Sequence, residues 1–217
     1  MKSLNDYFDK IYCIHINGLN DRNKCIDDVR SKLNCDIEIF NAYIPSDCNL
    51  PNNMGACLPT EYACSISHIK LWEKILKDNP KRPLILEDDI VINEDIDIFS
   101  MLDRVQAMLL SNDTDIAFLG LNYRSYGEFD RINDDLLKVK YAYALHAYSP
   151  SMRALKNLSI LFAEDKLYSN PKVLDYKMAQ IYHLINVITV HPSILYQKAG
   201  FSVIQNRELN YEGWLKE

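Results

Sequence analysis

Short apolar runs alternate with helical periodicities along almost the whole chain. The apolar runs predict buried strands at residues 10–16, 37–40, 83–86, 115–121, 139–146 and 187–191. Apolar positions at helical spacing predict helices at about 20–33, 60–78, 96–110, 149–162 and 173–185. Strands separated by helices are typical of an α/β fold, with a mostly parallel sheet and helices on both faces.

The longest predicted helix follows a loop at residues 45–59 that is rich in Pro, Asn and Gly. Thr60 is the expected N-cap of this helix, and Glu61 stands in its first turn, where the helix dipole favours an acid. The helix is expected to end at Asn79, immediately before Pro80.

Composition fits one globular domain spanning residues 1–217, with a loosely held polar tail after about residue 206. Hydrophobic residues make up 48% of the chain, which is enough for a core. The net charge is -6 and no block of Lys or Arg occurs, so a nucleic-acid partner is not expected. Neither a signal-peptide core nor a transmembrane run is found. We therefore expect a cytoplasmic protein, free or attached peripherally to the cytoplasmic face of a membrane.

All six cysteines lie in the first 64 residues. An even number is compatible with disulfides in a secreted chain, but without a secretion signal free thiols are the preferred interpretation. The sequence has no C-x-x-C pair, which argues against a structural zinc site.

The most informative segment is LILEDD at residues 84–89, where three acids follow an apolar strand. In open α/β sheets, ligands bind beyond the carboxyl ends of the strands. Because side chains alternate along an extended chain, Glu87 and Asp89 are expected to point the same way, as a hard oxygen site for Mn²⁺ or Mg²⁺. Such a metal would attract a diphosphate and stabilise a departing nucleotide. The alternative is a solvated acidic turn.

The stretch from residue 59 to 92 resembles glycosyltransferase family 25, which includes lipopolysaccharide and collagen-type sugar transferases. Family members look like E-I-G-C-A-L-S-H-L-x-x-W, then a gap and L-E-D-D; here the chain reads EYACSISH at 61–68, then Trp72, then LEDD at 86–89. Similar segments open the chain (IHIN at 14–17, with Arg22) and recur at 115–120, 143–155, 171–175 and 192–197. The departures are His15 and Asn17-Gly18 in the first segment, Ala63, Val203 and a short region between 120 and 139.

The resemblance implies a GT-A fold, a Rossmann-like sheet that holds a UDP-sugar, and an inverting transfer of galactose or glucose to an acceptor hydroxyl. It assigns the metal to Glu87 and Asp89, with His191 as a possible late ligand, and makes Asp175 the general base. The predicted contacts of the nucleotide sugar are Ile14, His15, Arg22, Ser67, His68 and Asp88. The acceptor is left open between a saccharide, a lipid-linked glycan and hydroxylysine.

Several of these residues also have structural interpretations. His68 fits a satisfied core histidine, Arg22 fits a brace for the loop after the first strand, and Asp175 fits an ordinary acid in a first helical turn. His191 fits a plain strand-end histidine, and Trp72 is expected to pack in the core. Two rival functions remain at this point: a catalytically silent relative that only binds a sugar or a partner, and a metal-dependent phosphoryl-transfer or nuclease enzyme.

Overall fold

Strands and helices alternate through the residues that the structure, a computed structural model, describes: 2–121, 127–202 and 207–209. The strands are β1 (Lys10–His15), β2 (Glu38–Asn41), β3 (Pro83–Glu87), β4 (Ile90–Ile92), β5 (Ile116–Phe118), β6 (Glu128–Arg131), β7 (Leu136–Tyr141), β8 (Ala147–Pro150), β9 (Val187–Val190), β10 (Leu195–Gln197), β11 (Gly200–Ser202) and β12 (Arg207–Leu209). The helices are α1 (Asn20–Lys32), α2 (Pro59–Asp78), α3 (Ile98–Leu109), α4 (Met152–Leu161), α5 (Glu164–Ser169) and α6 (Leu174–Ala179).

The central sheet has the strand order β2-β1-β3-β8-β5-β9-β7-β6. Strands β2, β1 and β3 pair in parallel, as do β5 and β9. Because β8 is antiparallel to both β3 and β5, and β7 is antiparallel to both β9 and β6, only β7 and β8 of this described sheet run against the rest. The sheet is therefore mainly parallel, as the sequence predicted, and the carboxyl ends of β1, β3, β5 and β9 lie along one edge.

Alternation along the strands divides the core between the two faces of the sheet. In β1, Tyr12 and Ile14 join the cluster that contains the apolar residues of α2, α4 and α6. Ile11 and Cys13 face the opposite way and pack with the apolar residues of α1 and α3. Both faces are covered by helices, which is the layering expected of an α/β fold.

Several element boundaries differ from those predicted. Helix α2 begins at Pro59, with Leu58 as its N-cap, so Thr60 does not cap it. Proline suits this first position because its missing N–H would have no partner within the helix. Glu61 does lie in the first turn, and its carboxylate accepts a hydrogen bond from the Leu58 N–H, 2.9 Å away. Asn79 ends the helix in a left-handed conformation, as the sequence suggested.

Of the region predicted as a strand at 139–146, only residues 139–141 belong to a strand, β7, and residues 142–146 connect it to β8. Ala144 has a φ of 123°, a conformation that interrupts an extended strand. Helix α4, predicted from residue 149, begins at Met152, and Ser151 caps it by accepting a hydrogen bond from the Ala154 N–H. The helix predicted at 173–185 is the shorter α6, followed by a 3₁₀ turn at Tyr182–Leu184.

Other expectations concern the cysteines, the tail and the membrane. All six cysteines are free. Of the tail after residue 206, Arg207–Leu209 forms β12 against β11; Val203, Asn206 and 210–217 lie outside the described residues. Among the helices that the structure describes, none has the length and apolar character of a membrane span.

Gly120 brings β10 against the end of β5. A Cβ atom at this position would stand 1.7 Å from the carbonyl oxygen of Leu195 and 2.8 Å from Nε2 of His146. The Leu119 carbonyl meanwhile accepts the N–H groups of both Ile194 and Leu195. Only a residue without a side chain allows this approach of two backbones.

We predict that Gly120→Ala lowers the free energy of unfolding by about 3 kcal/mol or more, because the clash is with backbone and cannot be relieved by a rotamer change. Gly55→Ala is the matched control: Gly55 has a φ of 57° but open space around it. Its cost should be only about 1–2 kcal/mol of backbone strain. Urea unfolding of both variants measures the two values, and equal losses would contradict the packing argument.

Candidate active site at the carboxyl edge of the sheet

The acid triplet lies where β3 leaves the sheet. Strand β3 ends at Glu87, Asp88 and Asp89 form a turn, and β4 then pairs with β10. The strand alternation that would align Glu87 with Asp89 therefore stops at Glu87, and each carboxylate has a different set of neighbours. The expectation that Glu87 and Asp89 share one orientation is not met.

Glu87 faces helix α2. Its Oε1 lies 3.1 Å from Nε2 of His68, and Nδ1 of the same ring lies 3.0 Å from the hydroxyl of Tyr148. The Trp72 indole N–H donates to that hydroxyl over 2.7 Å. Burial alone would raise the pKa of Glu87, but the hydrogen bond and charge of His68 lower it below its usual value. Glu87 is therefore held as a carboxylate within an ordered polar chain.

Asp88 faces the end of β1. Its Oδ2 accepts the backbone N–H of Ile16 over 3.0 Å and lies 2.8 Å from Nδ1 of His15. Its Oδ1 lies 3.6 Å from Nη1 of Arg22. Asp88 is thus fully engaged in joining β1, α1 and the turn after β3.

Asp89 faces Arg22 and the open edge. Nη1 of Arg22 lies 2.9 Å from its Oδ2, and both side chains are more than four-fifths buried. The other oxygen, Oδ1, is buried without a hydrogen-bond partner among the described residues. A buried carboxylate oxygen that lacks a donor is costly, so this atom is suited to receive a cation or a ligand N–H.

A pocket opens over these acids. All three acids line it, together with Arg22. The rest of the wall is largely apolar and comes from the ends of β1 and β2 and the first turns of α2: Ile14, Ile16, Leu19, Ala42, Tyr43, Ile44, Pro45, Ala63 and Cys64 among others.

Asp175 approaches the same edge from helix α6. The Leu174 N–H donates to the Ser65 hydroxyl over 3.0 Å, which fixes the start of α6 against α2. Burial raises the pKa of Asp175 from 3.8 to about 6, and the charge of Glu87 adds to this rise, while the Tyr176 N–H opposes it. A carboxyl group with this pKa is suited to accept a proton near neutral pH.

Comparison with known proteins decides the family. The sequence profile described as glycosyltransferase family 25 (LPS biosynthesis protein) matches residues 8–190. The chain belongs to glycosyltransferase family 25. No curated protein sequence matches it closely enough to count as a relative.

A solved glycosyltransferase has a similar fold. It is a crystal structure of a glycosyltransferase involved in the glycosylation of the major capsid of PBCV-1, with a TM-score of 0.53 and 10% identity over 91% of this chain and 95% of that one. The structure of A197 from STIV is a weaker match, with a TM-score of 0.46 and 13% identity over 90% of this chain and 83% of that one. The similarity to the PBCV-1 glycosyltransferase shows the fold alone. The roles of the site residues in this family 25 chain are argued from their own contacts.

The structure brings most of the predicted site residues to this edge, in unequal roles. Ile14, Arg22, Ser67, Glu87, Asp88 and Asp89 line the pocket. The Ser67 hydroxyl donates to the Ala63 carbonyl and accepts the Tyr43 N–H, so it supports the loop after β2. His15 and His68 are buried behind the acids and orient Asp88 and Glu87. Arg22 pairs with Asp88 and Asp89 of the turn after β3 while also lining the pocket.

His191 does not join the acids. It follows β9, three strand positions from β3 in the sheet, which corresponds to roughly 14 Å at the usual strand spacing. Its backbone N–H donates to the Asp135 carbonyl, and burial together with the charge of Arg131 lowers the pKa of its side chain. One metal ion held by Asp89 would therefore lie out of its reach.

The sequence analysis gave no role in the site to Cys64 or Tyr148, and it predicted core packing for Trp72, which is buried in the core. Cys64 lines the pocket, and its Sγ lies close to His68 and Glu87. Tyr148 and Trp72 complete the chain of hydrogen bonds behind His68. Cys64 could have been recognised from the sequence, because it precedes His68 by one helical turn. No sequence pattern pointed to Tyr148, because the strand in this region was predicted at 139–146 and β8 begins at Ala147.

We predict that Asp175 titrates near pH 6 in the metal-free protein and that Glu87→Gln lowers this pKa, because the substitution removes a neighbouring negative charge. The value should remain above 3.8, since burial is the larger cause of the shift. Carbon-13 NMR of the side-chain carboxyl groups measures it, with Asp175→Asn to assign the signal. A wild-type value near 3.8, or one that Glu87→Gln does not change, would contradict this electrostatic account.

Proposed function

We propose that this chain transfers a hexose, galactose or glucose, from a UDP-sugar to an acceptor hydroxyl in a metal-dependent, inverting reaction. The main support is a pocket at one sheet edge that is lined by three carboxylates and Arg22. Asp175, whose pKa is raised, approaches the same edge. Family membership supports glycosyl transfer; the donor, the metal and the stereochemistry are our inference.

The residues of the turn fit a hard divalent cation, Mn²⁺ or Mg²⁺. The unpartnered buried Oδ1 of Asp89 is the strongest support, since it has no donor among the described residues. Asp88 and Glu87 border the same pocket, and each already has one oxygen in a hydrogen bond. Asp89 would therefore be the main ligand, and when bound the metal would neutralise the charge that develops on the leaving diphosphate.

Arg22 and the apolar wall suit the nucleotide. The Arg22 guanidinium lines the pocket beside Asp88 and Asp89, and a guanidinium is a group that recognises phosphate. Ile14, Ile16 and Leu19 present apolar surface next to it, as expected for a base or ribose face. The diphosphate would then lie between Arg22 and Asp89.

Asp175 is the proposed general base. It would take the proton from the acceptor hydroxyl as that oxygen attacks the anomeric carbon and the UDP group departs, so that the configuration inverts in one step. Its pKa of about 6 leaves it mostly ionised at pH 7 and still a stronger base than an exposed aspartate.

An open groove on the other side of Asp175 is suited to the acceptor. It is lined by Asn53–Cys57 and by Ser169–Val173 with Tyr176. Val173 and Tyr176, close to Asp175 in sequence, border the groove, and Asp175 senses the charge of Glu87 at the donor pocket; in this proposal the base therefore acts between the two. A saccharide, a lipid-linked glycan or a hydroxylysine side chain could each supply the hydroxyl.

The donor is tested by calorimetric titration with UDP-galactose and UDP-glucose, each with Mn²⁺ and with EDTA. We expect binding with Mn²⁺ and a loss of at least about tenfold in affinity without it, because the diphosphate would then face unshielded carboxylates. GDP-mannose is the control donor. Preference for GDP, or UDP-sugar binding that EDTA leaves unchanged, would contradict the proposal.

Asp89→Asn is expected to weaken Mn²⁺-dependent donor binding by at least about tenfold, since an amide oxygen is a neutral and weaker metal ligand. Asp134→Asn is the matched control, because Asp134 is exposed in an ion pair with Arg131 at the surface. Similar donor affinity in both variants would remove Asp89 from the site.

Asp175→Asn should lower kcat by roughly 10²-fold or more and leave the donor Kd nearly unchanged, because the amide keeps the size of the side chain and cannot accept the proton. Asp165→Asn changes another first-turn acid, in α5, and should leave both values unchanged. If kcat stays near normal, Asp175 is an ordinary helix-start residue. A collapse of donor binding would instead make it a ligand of the sugar.

A further inference from the structure

Three side chains of different chemistry converge between helix α2 and the end of β3. The Sγ of Cys64, a ring nitrogen of His68 and a carboxylate oxygen of Glu87 all lie within 4.8 Å of one another. From this arrangement we infer that the chain holds a second divalent-cation site, for a borderline metal such as Zn²⁺, distinct from the hard oxygen site at Asp89.

The fold explains why these residues meet. Cys64 and His68 are four residues apart in α2, so their side chains lie on one face of the helix, one turn apart. Paired ligands at this spacing are a common way for a helix to hold zinc. Glu87 is the last residue of β3 and reaches the same face of α2. The sequence has no C-x-x-C pair, but the fold assembles ligands from two separate elements.

The donor atoms decide which metal is suited. A thiolate, an imidazole and a carboxylate together match Zn²⁺, whereas Mn²⁺ and Mg²⁺ prefer oxygen ligands alone. Binding would convert the Cys64 thiol to a thiolate and release its proton to solvent. The cluster and the Asp89 carboxylate would therefore select different cations, although Glu87 is only two residues from Asp89 in the chain.

Existing contacts already orient the ligands. Nδ1 of His68 lies 3.0 Å from the Tyr148 hydroxyl, which the Trp72 indole N–H holds in turn. Metal-binding histidines usually have their second ring nitrogen fixed in this manner. Nε2 lies 3.1 Å from Oε1 of Glu87, and a tetrahedral Zn²⁺ would place such a pair about 3.4 Å apart. The metal could thus replace the hydrogen bond with little movement of either side chain.

The site is accessible from the donor pocket. Cys64 and Glu87 both line that pocket, while His68 is buried behind them. With three protein ligands, a fourth position would remain for water or for a group of a bound ligand, which is the pattern of an open rather than a closed zinc site.

Cobalt(II) titration of the metal-free, full-length protein tests the inference without requiring turnover, so its outcome is separate from that of the proposed transferase activity. Saturating Mg²⁺ is kept present to occupy oxygen sites. We expect a sulfur-to-cobalt charge-transfer band in the near ultraviolet and strong visible bands of tetrahedral Co²⁺, saturating at one equivalent and abolished by one equivalent of Zn²⁺. Absence of the charge-transfer band in the wild-type protein would overturn the inference.

Variants establish which residues bind. Cys64→Ser should remove the charge-transfer band, whereas Cys48→Ser should retain it, because the Cys48 thiol donates to the Ile44 carbonyl away from the cluster. Thermal unfolding checks that both variants fold. Glu87→Gln keeps the thiol, so the band should persist while affinity falls by about tenfold or more. A band that survives in Cys64→Ser, or an affinity that Glu87→Gln leaves unchanged, would show that Co²⁺ binds elsewhere.

Discussion

Three adjacent carboxylates at the end of a buried strand must each be compensated, and the structure does this with three different elements. Helix α2 provides His68 to Glu87, the end of β1 provides the Ile16 N–H and His15 to Asp88, and α1 provides Arg22 to Asp89. Leaving any of these charges buried and unpaired would cost several kcal/mol. The turn after β3 therefore fixes how β1, α1 and α2 meet at this edge.

This division of partners also separates two chemical tasks. Asp88 and Asp89 share Arg22 on the side of the donor pocket, where one buried carboxylate oxygen of Asp89 has no partner among the described residues. Glu87 also lines this pocket, but it pairs with His68, and its charge contributes to the raised pKa of Asp175. In the proposed reaction, Asp88 and Asp89 would assist diphosphate binding, and Glu87 would keep the Asp175 base poised for proton transfer.

The sequence predicted the parts of this arrangement that depend on local pattern. Apolar runs located β1, β3 and β9, and the spacing from Glu61 to Asp89 indicated both the family and the acids. The prediction that Glu87 and Asp89 point the same way was wrong, because it assumed that β3 continues beyond Glu87, whereas Asp88 already lies in a turn. His191 was predicted as a metal ligand because it lies at a strand end. The strand order puts β8 and β5 between β3 and β9, and no local sequence pattern indicates that order. Tyr148 was missed for the same reason, since β8 is inserted against the direction of its neighbours.

The central claim is that one sheet edge holds the nucleotide sugar between Arg22, Asp89 and Asp175. A crystal structure of the protein with Mn²⁺ and an unreactive UDP-hexose analogue tests this most directly. The account predicts the diphosphate between the metal on Asp89 and the Arg22 guanidinium, with the anomeric carbon open to attack from the side of Asp175. Nucleotide bound away from the turn after β3, or a sugar whose anomeric carbon is turned away from Asp175, would contradict it.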